Sequence, residues 1–112
     1  MEFKEPRRNP EKEGADRLIK FMKSRGWYMF PRLHGSMFQK GYPDSLWGHK
    51  AFGQRFIEFK VRSGGLEPSQ VDVFTKMAEF NIGVWILYDE TDYNKLFEPP
   101  NWWQYCMRGR IR

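Results

Sequence analysis

Between Glu11 and Arg25 the apolar residues Ala15, Leu18, Ile19 and Met22 recur at helical intervals. Acids gather early in this stretch and Lys20, Lys23 and Arg25 late, the order that the helix dipole favours. The spacing predicts a first helix over residues 11–25, ended by Gly26. Trp27-Tyr-Met-Phe30 then reads as a short aromatic strand whose hydrogen bonding Pro31 limits. A glycine-punctuated loop spans residues 33–42. Residues 44–47 and 55–61 follow as two strands of a hairpin, joined through residues 48–53 with glycines at either end. Alternation puts Phe56, Glu58 and Lys60 on one face of the second strand, and Ile57, Phe59 and Val61 on the other.

Ser63-Gly-Gly65 is a turn, and Pro68 suits the first turn of a second helix whose stripe, Val71, Phe74, Met77 and Ala78, runs on to Asn81. Gly83 releases a buried strand over residues 84–88. An acidic stretch, a short helical turn over residues 93–97 and the Pro99-Pro100 stop come after it. The order helix, strand, strand, strand, helix, strand predicts an α/β fold with one mixed sheet. Residues 1–10, with Pro6, Pro10 and Arg7-Arg8, read as a basic arm, residues 11–98 as the domain, and residues 99–112 as an aromatic and basic tail packed on the core.

Composition narrows the field. At 112 residues there is room for one domain, and 40% hydrophobic with 18% aromatic residues excludes wholesale disorder. No apolar run approaches the roughly 20 residues that cross a bilayer, and the N-terminus lacks a signal peptide's apolar segment, so a soluble, cytoplasmic protein with no membrane partner is expected. Cys106 is the single cysteine, which excludes an internal disulfide and a cysteine-based zinc cluster. The formal charge of +5 is uneven: residues 1–62 hold 14 Lys/Arg against 7 Asp/Glu, and residues 63–112 hold 5 against 7. A polyanion is drawn to the first half.

Glu58 and Lys60 interrupt an otherwise apolar strand. Two residues apart, they point the same way, about 7 Å from each other along the backbone. Asp44 follows Pro43 and precedes Glu58 by 14 positions, the separation at which the two acids meet at the open end of one hairpin. Two carboxylates and a lysine suit phosphodiester hydrolysis: oxygen ligands hold Mg²⁺, the metal stabilises charge on the phosphate, and the lysine orients or helps deprotonate water. The plainer alternatives are an edge-strand salt bridge for Glu58 and Lys60 and a turn-forming role for Asp44.

Gly41-Tyr-Pro-Asp44, then Phe56-Ile-Glu-Phe-Lys60, then Leu66-Glu-Pro-Ser-Gln70 opening a helix, together resemble the PD-(D/E)XK nuclease superfamily, and within it the small stand-alone VRR-NUC-type nucleases common in phages. The resemblance runs from about Glu11 to Leu96. It implies a restriction-endonuclease-like αβββαβ core and a metal-dependent DNA endonuclease, with Mg²⁺ or Mn²⁺ held by Asp44, Glu58 and the Phe59 carbonyl. Lys60 would be catalytic, and Gln70 would orient water or Lys60.

The same resemblance implies 5′-phosphate products and a homodimer acting on branched DNA, in the host cytoplasm if phage-encoded. It also implies an acid from the first helix, for which Glu11 is favoured over Glu13 and Asp16. Arg32, His34, Ser36 and Gln39 in the loop before Gly41, with Arg62 after the catalytic strand, are the candidate nucleic-acid contacts. His49, in the hairpin turn, reads as merely solvated. Two rival readings use other features: a non-catalytic nucleic-acid-binding module built on the basic half, and a partner-recruiting protein built on Pro99-Pro-Asn-Trp-Trp103.

Overall fold

Leu18 and Met22, one turn apart and fully buried, anchor helix α1 (Pro10–Ser24) to the sheet, with Ile19 packed beside them. The computed structural model describes residues 10–31, 40–60 and 64–106, and the side chains of residues 10 and 11 lie outside that description. The expected basic arm, except Pro10 at the start of α1, and the end of the tail, residues 107–112, also lie outside it. Helix α1 closes as the N–H groups of Arg25 and Gly26 donate back to the carbonyls of Met22 (2.9 Å) and Lys23 (3.2 Å). Strand β1 (Trp27–Met29) starts immediately after, and β2 (Ser45–His49), β3 (Gly53–Phe59), helix α2 (Pro68–Glu79) and β4 (Val84–Leu87) complete the core.

The four strands form one sheet in the order β1-β2-β3-β4. The β1–β2 and β2–β3 pairs are antiparallel, and α2 carries the chain across so that β4 lies parallel to β3. This is the αβββαβ order that the apolar pattern predicts. Alternation along the strands sorts two cores. On the α1 side Leu18, Met22, Trp27, Trp47, Ile57, Leu87 and Leu96 close together. On the α2 side Leu66, Phe74, Val84, Ile86, Tyr88 and Tyr105 do so. Each large apolar side chain so buried contributes roughly 1.5–3 kcal/mol.

The hairpin differs from expectation. Strand β2 runs on to His49, which leaves a tight turn over residues 50–52 where residues 48–53 were expected, and β3 starts earlier, at Gly53, and ends earlier, at Phe59. His49 supplies the reason. Its Nε2 lies 3.0 Å from the Arg25 carbonyl, its Nδ1 accepts from the Ala51 N–H at 3.0 Å, and its ring packs against Trp27 and Phe52. Far from being merely solvated, His49 pins the end of α1 to the hairpin turn.

Beyond β4 a 3₁₀ segment (Glu90–Phe97) packs along α1, and a second (Trp102–Tyr105) docks the tail onto the α2-side core through Trp102 and Tyr105. Asn101 covers the outer edge of β4: its Oδ1 accepts from the Ile86 N–H (2.7 Å) and its Nδ2 donates to the Ile86 carbonyl (3.0 Å). Among the described residues no helix is long and apolar enough to cross a membrane.

Candidate active site

The hairpin register pairs Ser45 with Ile57, so the next step along both strands brings Asp44 beside Glu58, at the end away from the turn. Each acid's carboxylate accepts a backbone N–H from the other arm of the hairpin. The Asp44 N–H donates to Glu58 Oε1 at 3.0 Å, and the Phe59 N–H donates to Asp44 Oδ2 at 3.0 Å. Lys60 Nζ lies 3.6 Å from Glu58 Oε2. The two carboxylates and the amine that the sequence singles out therefore converge.

Gln70 joins them from the first turn of α2. Its Nε2 donates to Glu58 Oε2 at 2.8 Å, while its Oε1 accepts from the Glu67 N–H at 3.0 Å. Both ends of the amide are engaged, so Gln70 orients Glu58 and fixes the helix start at once. The sequence expectation has Gln70 orienting water or Lys60; the structure adds this capping role, whose signal is the Glu67-Pro-Ser-Gln70 spacing.

Gly41 explains why the loop before Asp44 sits where it does. Its φ of +101° lies in the left-handed region, and a Cβ there would fall 2.4 Å from the Ser69 carbonyl oxygen and 3.0 Å from Val73 Cγ2. Only glycine lets this loop rest on the first turns of α2, which ties Asp44 to the helix that carries Gln70.

The electrostatics of the pair are unusual. Glu58 is 4% exposed. Burial, and after it the neighbouring Asp44 carboxylate, push its pKa from 4.5 up to about 7, against the opposing pull of Lys60 and of the hydrogen bonds from Gln70 and the Asp44 N–H. Asp44 itself is exposed, and among the described residues its Oδ1 has no hydrogen-bond partner. Because the Lys60 N–H turns toward Leu87 on β4 while the Phe59 N–H turns toward Asp44, the Phe59 carbonyl leaves the strand on Asp44's side. Two carboxylates and a backbone carbonyl form an oxygen donor set that suits Mg²⁺, an ion usually held by one or two protein carboxylates with waters completing its octahedron.

Among the described residues no group of three or more His, Cys, Asp and Glu stands ready to hold a metal. Of the first-helix acids, Glu13 and Asp16 face solvent, and Asp16 pairs with Lys12 at 3.4 Å. The Glu11 side chain lies outside the described residues, as do Arg32, His34, Ser36, Gln39 and Arg62. Comparison of the chain with protein-family models, with curated proteins and with solved structures finds no match.

Proposed function

We propose that the chain is a metal-dependent DNA endonuclease of the PD-(D/E)XK kind, acting on branched DNA as a homodimer. The observation that carries the reading is the meeting of Asp44, Glu58 and Lys60 at one end of the hairpin, with Glu58 withdrawn from water and facing a second carboxylate. A salt bridge kept only for stability would need Glu58 and Lys60 but not Asp44. The added acid raises the cost of charging Glu58, a cost that a cation shared by both acids would remove.

Asp44, Glu58 and the Phe59 carbonyl would hold Mg²⁺ or Mn²⁺. When bound, such an ion stabilises charge on a phosphate oxygen and lowers the pKa of water. Gln70 keeps the Glu58 carboxylate in place, and the Asp44 N–H bond to Glu58 holds the two acids in register. Lys60, with its side chain 18% exposed, places a cation beside the pair, where it can orient a water or receive its proton. At this size one chain offers little surface beyond the core, so a second copy would supply the rest of a branched substrate's footprint.

Supercoiled plasmid tests the proposal. Nicking that requires Mg²⁺ or Mn²⁺, stops with EDTA and disappears in Lys60→Ala supports it. Identical plasmid patterns in every lane would replace it with the rival binding module, which the basic excess of residues 1–62 would serve without chemistry.

A further inference from the structure

Helix α2 covers only half of its side of the sheet. Val84 and Ile86 of β4 and Phe56 of β3 lie in the core that it closes, but the same face continues across β2 and β1, where among the described residues no helix lies above it. There it is formed by Leu46 and Gly48 of β2 and by Tyr28 and Phe30 at β1, since Tyr28 pairs with Gly48 and the Phe30 N–H donates to the Leu46 carbonyl. Phe30 lies over Gly48, where a Cβ would come within 3.0 Å of its Cε2. Tyr28 meets it edge to face at 4.9 Å between centroids, and the two rings remain 58% and 46% exposed.

Glu58 points to this same face. Strand spacing sets both rings two strands over from Glu58, Phe30 one side-chain step back at about 12 Å and Tyr28 two steps back at about 16 Å. Residues 1–62, the half of the chain that carries both rings, hold 14 Lys/Arg against 7 Asp/Glu, so a polyanion is drawn to this half. A second copy of the chain fits the rings poorly as an occupant. Two half-exposed rings offer roughly 200 Å² of surface, against about 800 Å² per partner in a stable interface.

We infer that Tyr28 and Phe30 are a stacking platform for unpaired bases of the strand whose phosphate enters the Asp44–Glu58 site, an inference that rests on the nuclease reading. Rings standing on a sheet face reach a base only when it has left the duplex stack, as in single strands. At about 3.4 Å per stacked nucleotide, more when extended, the bases served lie about two to five nucleotides from the scissile phosphate. The substrate class narrows accordingly to DNA with a single-stranded segment beside the cut: a flap, a fork or an opened junction arm.

Equilibrium binding in EDTA tests this apart from cleavage, using labelled oligothymidylate, a duplex of equal length and oligothymidylate carrying an abasic site at each position in turn. Tyr28→Ala and Phe30→Ala should each weaken single-strand binding at least about fivefold. Tyr28→Phe should retain it, the dependence on salt should keep its slope, and duplex binding should change less than about twofold. With the unaltered protein, abasic sites should weaken binding at a few adjoining positions only, a readout that needs no variant to fold. Uniform tolerance of abasic sites, equal losses on duplex and single strand, or a fall in sedimentation coefficient in the alanine variants would overturn the inference, the last by showing that the rings seat a second copy. Failure of the nuclease reading shows separately, as absence of metal-dependent nicking.

Discussion

Asp92 and Glu58 are both almost wholly withdrawn from water, with 3% and 4% of their surface exposed, yet their surroundings treat the charge differently. Asp92 Oδ2 accepts from the Tyr88 N–H at 2.7 Å and the Asp89 N–H at 3.4 Å, and its Oδ1 lies 3.3 Å from Lys95 Nζ. Backbone donors and a cation surround it, and it fastens the end of β4 to the 3₁₀ segment. Glu58 also has donors, from Gln70 and the Asp44 backbone, and a cation, Lys60, 3.6 Å away, but burial and then the facing Asp44 carboxylate outweigh them and push its pKa up to about 7. A buried acid kept for folding is matched by donors and a counter-charge. Glu58 is buried and also set against Asp44, a cost that a shared cation would lower, and on the proposed reading this is what distinguishes it from Asp92.

Breaking each carboxylate in turn sharpens that contrast. The largest effect expected is chemical: Asp44→Asn should lower metal-dependent plasmid nicking by about 10²-fold or more while keeping or improving DNA affinity, because a negative charge facing phosphate is removed. Asp92→Asn, measured per folded molecule, should leave nicking within a few-fold. Equal losses in both would erase the distinction between the two acids.

Next comes the pH dependence of stability. Glu58 binds its proton up to about pH 7 in the folded chain and up to about 4.5 when unfolded, so between those values the folded state holds more protons and stability falls as pH rises. The full loss is about 3 kcal/mol, complete above the folded value and absent below the unfolded one. Urea unfolding in EDTA should therefore show the unaltered protein losing stability relative to Glu58→Gln between about pH 5 and about pH 8, with Mg²⁺ restoring part of it at the upper end. Parallel curves for the two proteins would show that Glu58 carries no such strain.

Asp92→Ala should cost about 2 kcal/mol by stranding the Tyr88 and Asp89 N–H groups, read as a lowered urea midpoint. The exposed Arg17–Glu90 pair, 2.8 Å apart, is the smallest lever: Arg17→Ala should shift stability by less than about 1 kcal/mol, and by less still in high salt.

The order of elements was legible in the sequence because helical and alternating apolar periods are local properties, as the Leu18/Met22 stripe and the Ile57/Phe59 alternation show. The meeting of Asp44 and Glu58 was legible too, since hairpin connectivity alone sets their separation. The hairpin's reach was not. It depends on His49 meeting the Arg25 carbonyl, in the turn between α1 and β1 and distant in sequence. Asp92 and Asn101 were hidden for a similar reason: their partners are backbone groups along β4, and nothing in an Asp or Asn side chain announces which strand end it will cover. The open face at Tyr28 and Phe30 required knowing how far α2 extends across the sheet.

Titration of Mn²⁺ into the full chain at about pH 8, followed by the loss of the free ion's paramagnetic resonance signal, addresses the shared cation site itself. One tightly held ion per chain is expected, with affinity falling about tenfold or more in both Asp44→Asn and Glu58→Gln and unchanged in Asp92→Asn. Binding that is indifferent to Asp44 and Glu58, or no binding at all, would contradict a cation held between them.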